Sequence, residues 1–366
     1  MQYSEGMVRK ILAWAQRNER HLGAIVFIGG FITDIITFVF LDISVVNVVF
    51  AVYLALAALS IFLGHLLSSR APTHPSVRYR SILILLPLVA QYLIGNLLSG
   101  FLIFYTKSSV LGASWPFLIL IAAIFIGNEW FRKYKDRITF MAVLLFFTAY
   151  AYAIFALPLF LRALGPLVFL GSTALALGAF GLYLGALYRA GRMKLAESIL
   201  PIIGSSLVIT VLVVSAYFSG LIPPIPLTLK EVGIYHQVGR QGAGYLLEGE
   251  AMRPWYDLRP QVLHVASGEP LSAFTAVFAP IRFGTVVVHR WQRYNEDKGV
   301  WVTQSKIAFP IAGGRVDGYR GYSEIAAPAS GTWRLRVETE TGQVIGQRRF
   351  IVERASEPPL LFQETR

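Results

Sequence analysis

The side chains best suited to recognition in this 366-residue chain form an aromatic and basic group near the C-terminus. Tryptophan, tyrosine and arginine dominate binding energy at protein interfaces, and they can also stack on sugars. Strand alternation places His289 and Trp291 on one face of their strand. Trp291 and Trp333 could either bind a partner or fill the core of a β-sandwich, and we favour the core. The candidate binding residues of this group are His289, Trp291, Arg315, Tyr319, Arg320 and Tyr322.

A second group of candidates lies within apolar stretches of the N-terminal half. Asp34, Gln91 and Asn96 are polar residues inside predicted membrane spans, where polarity is costly and often functional. Asp34 could instead hydrogen-bond to a neighbouring span or be reached by water. Asn96 could serve helix packing, because Gly95 and Ser99 form a small-x-x-x-small pattern beside it.

Several chemistries are excluded by composition. The chain has no cysteine, which removes disulfides, thiolate catalysis, iron–sulfur clusters and cysteine-based zinc sites. The six histidines never lie three to five residues apart, so no local metal motif exists. We find neither GxSxG nor HExxH, and we predict no catalytic residue, no metal ligand and no cofactor. Enzymatic activity is therefore not our expectation.

The N-terminal half is predicted to cross a membrane. Hydrophobic residues make up 55% of the chain and charged residues 15%, against about 25% charged in ordinary soluble domains. Each predicted span approaches the roughly 20 apolar residues that cross a bilayer. The seven predicted spans are 22–41, 43–67, 81–105, 109–131, 138–160, 165–188 and 198–222.

Basic residues in the connections predict the orientation of the spans. If the N-terminus is cytoplasmic, the inner connections hold 14 Lys/Arg and the outer ones hold only Lys107 and Arg162. Seven spans then place the C-terminal domain outside the cytoplasm, which is the periplasm of a cell with an outer membrane. The net charge of +12 lies mostly on the membrane half, which favours contact with anionic lipid and argues against a nucleic-acid partner.

The chain is expected to divide into five segments. Residues 1–21 form a cytoplasmic segment, either an amphipathic helix on the membrane surface or a solvated basic tail. Residues 22–222 form the membrane bundle, 223–262 a Pro-rich linker with one short hairpin, 263–355 an extracytoplasmic β-sandwich, and 356–366 a C-terminal tail.

Period-two patterns predict the strands of the C-terminal half. In residues 333–340, Trp, Leu, Val and Thr alternate with Arg and Glu, which is typical of a half-buried antiparallel strand. Residues 344–352 are its predicted hairpin partner, and 285–294 with 300–309 form a second hairpin. Residues 271–280 and 317–325 supply two more strands, and 234–238 with 245–250 a short hairpin in the linker. Short strands separated by turns predict an immunoglobulin-like β-sandwich.

The residues of this C-terminal half resemble a known bacterial family. The motifs are His289-Arg290-Trp291, Gly313-Gly314-Arg315, Gly318-Tyr319-Arg320-Gly321-Tyr322-Ser323 and Gly331-Thr332-Trp333-Arg334. Together they are similar to a domain of unknown function, number 2914, found at the C-terminus of uncharacterised bacterial integral-membrane proteins. The resemblance covers about residues 285–353, and it implies an inner-membrane protein with an exported sandwich. It implies no activity.

Three functions remain open at this stage. The first is an inner-membrane protein whose periplasmic sandwich is a binding or assembly module, such as an accessory subunit of a membrane complex. Its expected partners are membrane lipid and a periplasmic or membrane protein. The second is a transporter or channel that uses the polar residues within the spans. The third is an envelope enzyme acting on a lipid-linked substrate.

Overall fold

The computed structural model describes residues 31–37, 43–74, 76–108, 119–124, 126, 138–222, 227–242, 244–251, 259–279, 284–313, 317–355 and 359–366. The described residues divide into two compact units, one drawn from 1–103, 120–149 and 180–206 and the other from 104–119, 150–179 and 207–366. Long α-helices come first along the chain, and β-strands follow from Thr228 onward. The predicted fold class, a helical part followed by an all-β domain, is confirmed.

Five long helices correspond to five of the seven predicted spans. Predicted spans 22–41 and 109–131 fall largely outside the described residues, although 31–37 and 119–124 are helical, and the predicted segment 1–21 lies wholly outside them. The long helices are α1 (Ile43–Ser69), α2 (Val77–Ser108), α3 (Ile138–Leu161), α4 (Pro166–Ala190) and α5 (Arg192–Phe218).

These helices are long and apolar enough to span a membrane. A helix of 24 residues, the shortest of the five, is about 36 Å long, which exceeds the roughly 30 Å of a hydrocarbon core. Leu167, Leu182 and Phe160 are each more than 80% exposed. Large apolar side chains displayed in this way suit a lipid environment far better than water.

Contacts between helices are made by aromatic rings and by a few hydrogen bonds. Phe50 of α1 meets Phe101 of α2 edge-on, with ring centroids 5.1 Å apart. The Tyr150 and Thr173 hydroxyls of α3 and α4 are 2.8 Å apart. Hydrogen bonds of this kind satisfy polar groups that have no water to bind within a membrane.

Eleven strands are seen in the described part of the C-terminal half. They are β1 (Thr228–Tyr235), β2 (Gln237–Gln241), β3 (Gly244–Gly249), β4 (Gln261–Val265), β5 (Leu271–Phe278), β6 (Gly284–Asn295), β7 (Val300–Ala312), β8 (Tyr319–Ile325), β9 (Gly331–Thr339), β10 (Val344–Arg354) and β11 (Phe362–Thr365). The predicted hairpins of 285–309 and 333–352 are confirmed as β6–β7 and β9–β10.

The strands form three sheets. A three-stranded sheet has the order β1-β5-β8, and a five-stranded sheet has the order β4-β10-β9-β6-β7. All neighbours are antiparallel except β4 and β10, which are parallel. Pro310 lies in β7, which is an edge strand of its sheet and therefore tolerates a residue without an amide proton.

The β1-β5-β8 sheet and the five-stranded sheet enclose one hydrophobic core between them. Trp291 and Leu335 of the five-stranded sheet and Ile234 and Val277 of the three-stranded sheet are almost completely buried in it. Trp333 is 2% exposed and stacks over Phe350 with ring centroids 6.4 Å apart. The core location that we favoured for both tryptophans is confirmed.

A smaller core lies under the third sheet, whose order is β11-β3-β2. It consists of Tyr235, Val238, Leu247 and Phe274, with Tyr245 packed against them. Phe274 belongs to β5, so this small sheet covers the outer side of the three-stranded sheet. Strand β11 lies in the predicted C-terminal tail and pairs with β3.

Strand β1 lies in the segment 223–262, for which the sequence analysis expects a linker with one short hairpin. It pairs with β5 along its whole length and contributes Ile234 to the main core. The pairing shifts between Leu229 and Glu231, which is the mark of a β-bulge. The bulge breaks the period-two pattern, and this is the physical reason why the alternation did not indicate a strand.

Gly321 on β8 provides a test of how the three-stranded sheet packs against β7 of the five-stranded sheet. A methyl group at this position would lie 2.5 Å from the ring of Phe309, which is partly buried against the main core. We expect Gly321→Ala to destabilise the sandwich by about 1–3 kcal/mol through overpacking. Gly239→Ala is the matched control, because a methyl group there meets nothing within 4 Å. Hydrogen-exchange mass spectrometry of β7 and β8 peptides measures the difference, and equal protection in the two variants would contradict it.

Candidate functional site

Three of the motif residues, His289, Trp291 and Ser323, belong to a buried hydrogen-bond network that joins the β1-β5-β8 sheet to the five-stranded sheet. His289 Nε2 lies 2.9 Å from the Thr275 hydroxyl, and its Nδ1 lies 2.8 Å from the Ser323 hydroxyl. The Trp291 indole donates to the same Ser323 oxygen at 3.0 Å. His289 and Trp291 are on β6, whereas Thr275 and Ser323 are on β5 and β8. The network is therefore a polar bridge across the sandwich.

This serine–histidine–threonine arrangement is built for structure. His289, Thr275 and Trp291 have no exposed surface, and Ser323 is 4% exposed. Burial lowers the pKa of His289 to about 3, so the ring is neutral at physiological pH. Because no substrate can reach these atoms, the network fixes how the two sheets are paired.

The outer side of the five-stranded sheet carries a cluster of basic residues that we call the cationic face. Strand register places Arg290 directly opposite both Arg336 and Lys306, and it places Arg334 opposite Arg349. Like charges directly opposite each other on neighbouring strands are destabilising. Pairs of like charges that lower the stability of a sheet are expected mainly at functional positions. The cationic face consists of Arg290, Lys306, Arg334, Arg336 and Arg349.

Glu338 holds two of these arginines in place. Its carboxylate oxygens lie 2.8 Å from Arg290 Nη2 and 2.8 Å from Arg336 Nε. The carboxylate is 1% exposed, and this burial raises its pKa, although both arginines and Lys306 pull it down. Glu338 thus offsets only part of the positive charge that surrounds it.

Arg334 is held in place by two neighbouring side chains. Its guanidinium stacks over Trp301 at 4.3 Å from the ring centroid, and its Nε donates to Gln292 Oε1 at 2.7 Å. Burial together with the nearby Arg336 and Arg349 lowers the pKa of Arg334 to about 10, so it stays protonated. Within the described part of the chain, Arg334, Arg349 and Lys306 make no salt bridge. Three cations are therefore available to an anion here, and Arg334 is held in position for it.

Two histidines and a glutamate form a further cluster at the edge of the sandwich. Glu250 accepts from the His264 backbone amide at 2.6 Å, and its two oxygens lie 2.9 Å from His264 Nδ1 and 3.1 Å from His236 Nε2. Burial raises the pKa of Glu250, but these hydrogen bonds outweigh burial and leave it below its ordinary value. The described residues contain no group of three or more acidic or histidine side chains arranged to hold a metal ion. The cluster therefore links the β2–β3 hairpin to β4.

The other candidates from the C-terminal motifs do not share one surface. Tyr319 packs against the main core, whereas Tyr322 is 44% exposed and meets Tyr245 edge-on. Arg320 is partly exposed on the same strand, β8. These residues belong to the three-stranded sheet, so they do not contribute to the cationic face. Arg315 lies outside the described residues.

The polar candidates of the N-terminal half are also dispersed. Asp34 is half-buried close to Ser99, and Gln91 is 5% exposed. Asn96 donates to the Tyr92 carbonyl of its own helix at 2.8 Å. A cavity of about 210 Å³ opens among α1, α2 and α3, and none of these three residues lines it. The cavity lining includes Ser60, Gly64, His65, Ser68 and Met141.

None of the five members of the cationic face was predicted as a site residue from the sequence. The alternation in 333–340 placed Arg334 and Arg336 on the polar side of their strand, so the sequence did carry a signal for these two residues. It could not show that Arg290, Lys306 and Arg349 lie beside them, because strand register joins residues that are far apart in sequence.

Comparison with protein families identifies the part of the chain that carries both the buried network and the cationic face. Residues 284–352 match a family described as "Protein of unknown function (DUF2914)". The match covers this segment alone. The match confirms the resemblance found from the motifs. All five members of the cationic face and Glu338 lie inside the DUF2914 match, as do His289, Trp291 and Ser323 of the network.

Comparisons with curated proteins and with solved structures give no further information on fold or function. No curated protein matches the chain. Among solved structures, a β-glucosidase from Kluyveromyces marxianus is 9% identical, with a TM-score of 0.17, over 40% of this chain and 16% of that one. The Pseudomonas fluorescens alkylpurine DNA glycosylase AlkC, bound to DNA, is 10% identical, with a TM-score of 0.23, over 84% of this chain and 97% of that one. Neither likeness carries an argument about fold or function.

Proposed function

We propose that this protein is a bacterial inner-membrane protein that presents its β-sandwich outside the cytoplasm as a binding or assembly module. Five helices that could cross a membrane provide the anchor. The buried network and the continuous core make the sandwich a rigid support. The module works by holding a partner on its surface, as an accessory subunit of a membrane complex would.

The cationic face is the observation that carries this proposal. Three like-charged pairs stand directly opposite each other on neighbouring strands, at a cost to folding. Arginine forks bind carboxylate and phosphate groups through paired hydrogen bonds, so an anionic partner would relieve this repulsion. The partner surface that fits is therefore negatively charged.

We also infer that the sandwich is immunoglobulin-like. The order of β1-β5-β8 against β10-β9-β6-β7 supports this, because it parallels the A-B-E and G-F-C-C′ arrangement of such domains. The buried Trp291 on β6 supports it further, since immunoglobulin domains carry a core tryptophan on strand C. The chain achieves this packing without a disulfide.

The proposed orientation places the sandwich on the extracytoplasmic side. The excess of basic residues in the inner connections supports it, and so does a contact of Leu164, in the loop between α3 and α4, with the sandwich core. That loop is one of the outer connections in the proposed topology.

Topology can be tested with one introduced thiol. Ser330 is exposed and the chain has no cysteine, so Ser330→Cys gives a single labelling site. We expect a membrane-impermeant maleimide to label it in spheroplasts whose inner membrane is intact. Labelling only after that membrane is permeabilised would place the sandwich in the cytoplasm and contradict the proposal.

The binding proposal is tested by charge reversal on the cationic face. Lys306 and Arg349 are exposed and make no salt bridge among the described residues, so Lys306→Glu/Arg349→Glu should fold normally. We expect this variant to lose cross-linked partners that the parent protein retains in its own membranes. Lys230→Glu/Arg240→Glu is the matched control, because it makes the same charge change at exposed positions on β1 and β2. Equal partner recovery in both variants would argue against the proposal.

A further inference from the structure

We propose that the cationic face binds the anionic headgroup surface of the membrane that anchors the chain. This inference rests on the proposed function and names the ligand of the same site. The chemistry recognised is the phosphate diester of anionic phospholipids. An acidic protein segment is the competing occupant, and the experiment below separates the two.

The position of the sandwich along the chain brings it near a membrane surface. Nine residues, 219–227, separate the end of α5 from the start of β1. Even a fully extended chain of nine residues spans at most about 32 Å. The sandwich is therefore held close to the end of the last helix that could cross the membrane.

Contacts within the same compact unit bring the five-stranded sheet still closer. Leu164 packs against the sandwich core, and Gly165 lies against Thr341 in the turn between β9 and β10. Glu338 and Arg336 are three and five residues from Thr341 on β9. At about 3.3 Å per residue, these side chains begin about 10 to 17 Å from the loop that joins α3 and α4. Headgroup regions are about 5 to 8 Å thick. Arg336, with Arg290 and Lys306 opposite it on the next two strands, therefore begins within roughly one Debye length of a headgroup layer that starts at this loop.

The charge on the face fits lipid phosphate. The face carries five cations, and the buried Glu338 is paired with Arg290 and Arg336, which leaves Lys306, Arg334 and Arg349 to bind a ligand. Guanidinium groups bind phosphate oxygens through two parallel hydrogen bonds. Basic clusters next to a membrane span are attracted to anionic headgroups over about one Debye length.

The form of the site also favours a headgroup layer over a protein segment. The cations are spread over four neighbouring strands, β7, β6, β9 and β10, on the outer side of a sheet. At about 4.8 Å between strands, the cations extend over roughly 14 Å. A lipid surface offers phosphates across such a width, and tethering gives it a high effective concentration that a soluble partner lacks.

Headgroup quenching in nanodiscs tests this inference with the full-length protein. A fluorophore is placed on Ala308→Cys, which is exposed on β7 opposite Val288 and two residues from Lys306. A trace of headgroup quencher is carried either by an anionic lipid or by a zwitterionic lipid with the same chains. We expect the anionic carrier to quench several-fold more strongly, because anionic lipid gathers at the face. Raising the salt from about 0.05 M to about 0.5 M should remove the difference.

The variants separate specific binding from general attraction. Lys306→Glu/Arg349→Glu should bring the anionic-to-zwitterionic quenching ratio to about one, and the control Lys230→Glu/Arg240→Glu should leave it unchanged. A ratio of one in the parent protein, or an unchanged ratio in the face variant, overturns the inference. If the face variant loses a cross-linked protein while the parent shows no lipid preference, the face binds an acidic protein and only the lipid inference fails. If the face variant alters neither result, the proposed function fails as well.

Discussion

Lowering the pH from 7 to 4 should destabilise the β-sandwich, and replacing His289 with glutamine should remove most of that pH dependence. The pKa of His289 is about 3 in the folded protein and about 6.5 in an unfolded chain. The stabilisation is therefore fully present above pH 6.5 and is lost as the pH falls toward 3, because the unfolded state binds the proton first. One proton taken up over this range costs on the order of 3 kcal/mol by pH 4.

Two glutamates with shifted pKa values have opposite effects on stability as the pH falls. The lowered pKa of Glu250 adds to the acid loss, because its stabilisation disappears as the pH falls through that pKa. The raised pKa of Glu338 opposes the loss, because the folded state accepts its proton at a higher pH than the unfolded chain does. Comparison of His289→Gln with the parent at each pH isolates the histidine, since both proteins carry both glutamates.

Hydrogen exchange measures this effect without requiring the whole membrane protein to unfold in two states. Peptides from β5, β6 and β8 report the free energy of local opening, and the comparison at equal pH cancels the intrinsic exchange chemistry. Glutamine can bond to Thr275 and Ser323 and carries no charge at any of these pH values. The same pH slope in parent and variant would show that His289 does not control the acid response.

Replacing Glu338 with glutamine should give the second large effect. The substitution leaves Arg290 and Arg336 facing each other without the carboxylate that binds both of them. Removal of one partner from a buried ion pair costs about 3–5 kcal/mol, and we expect about 2–3 kcal/mol because a quarter of each arginine side chain is exposed. Protection of β6 and β9 amides should fall by that amount.

The matched control for this substitution is Glu340→Gln. Glu340 is exposed in the turn that follows β9, so we expect a change within about 0.5 kcal/mol. Removing the opposing charge as well, in Glu338→Gln/Arg290→Gln, should restore part of the lost stability. If Glu338→Gln behaves like Glu340→Gln, the carboxylate does not organise the cationic face.

Local patterns in the sequence were enough to predict the two long hairpins. Alternation in 333–340 predicted β9, with 344–352 as its hairpin partner, and the pairing of Phe350 with Trp333 confirms the hairpin. Alternation in the predicted strand 285–294 likewise placed His289 and Trp291 on the same face. Such patterns work because side chains on a strand alternate between core and solvent.

The candidate site depended on contacts that no local pattern reveals. The partners of His289 are Thr275 and Ser323, which lie 14 and 34 residues away in the chain. Likewise, Arg349 meets Arg334 only through the register of β9 with β10. Strand register is set by the whole sheet and by bulges, such as the one between Trp291 and Gln292, so neither cluster could be assembled from spacing.

Site-specific photo-cross-linking in native membranes tests most directly whether the cationic face is the binding surface of an extracytoplasmic module. A photoreactive amino acid at Ala308 reports on the outer side of the five-stranded sheet, and one at Glu324 reports on the three-stranded sheet. We expect a discrete adduct, lipid or protein, from position 308 that disappears in Lys306→Glu/Arg349→Glu and is absent from position 324. Adducts at 324 but not at 308, or adducts at 308 that survive the charge reversal, would contradict the account.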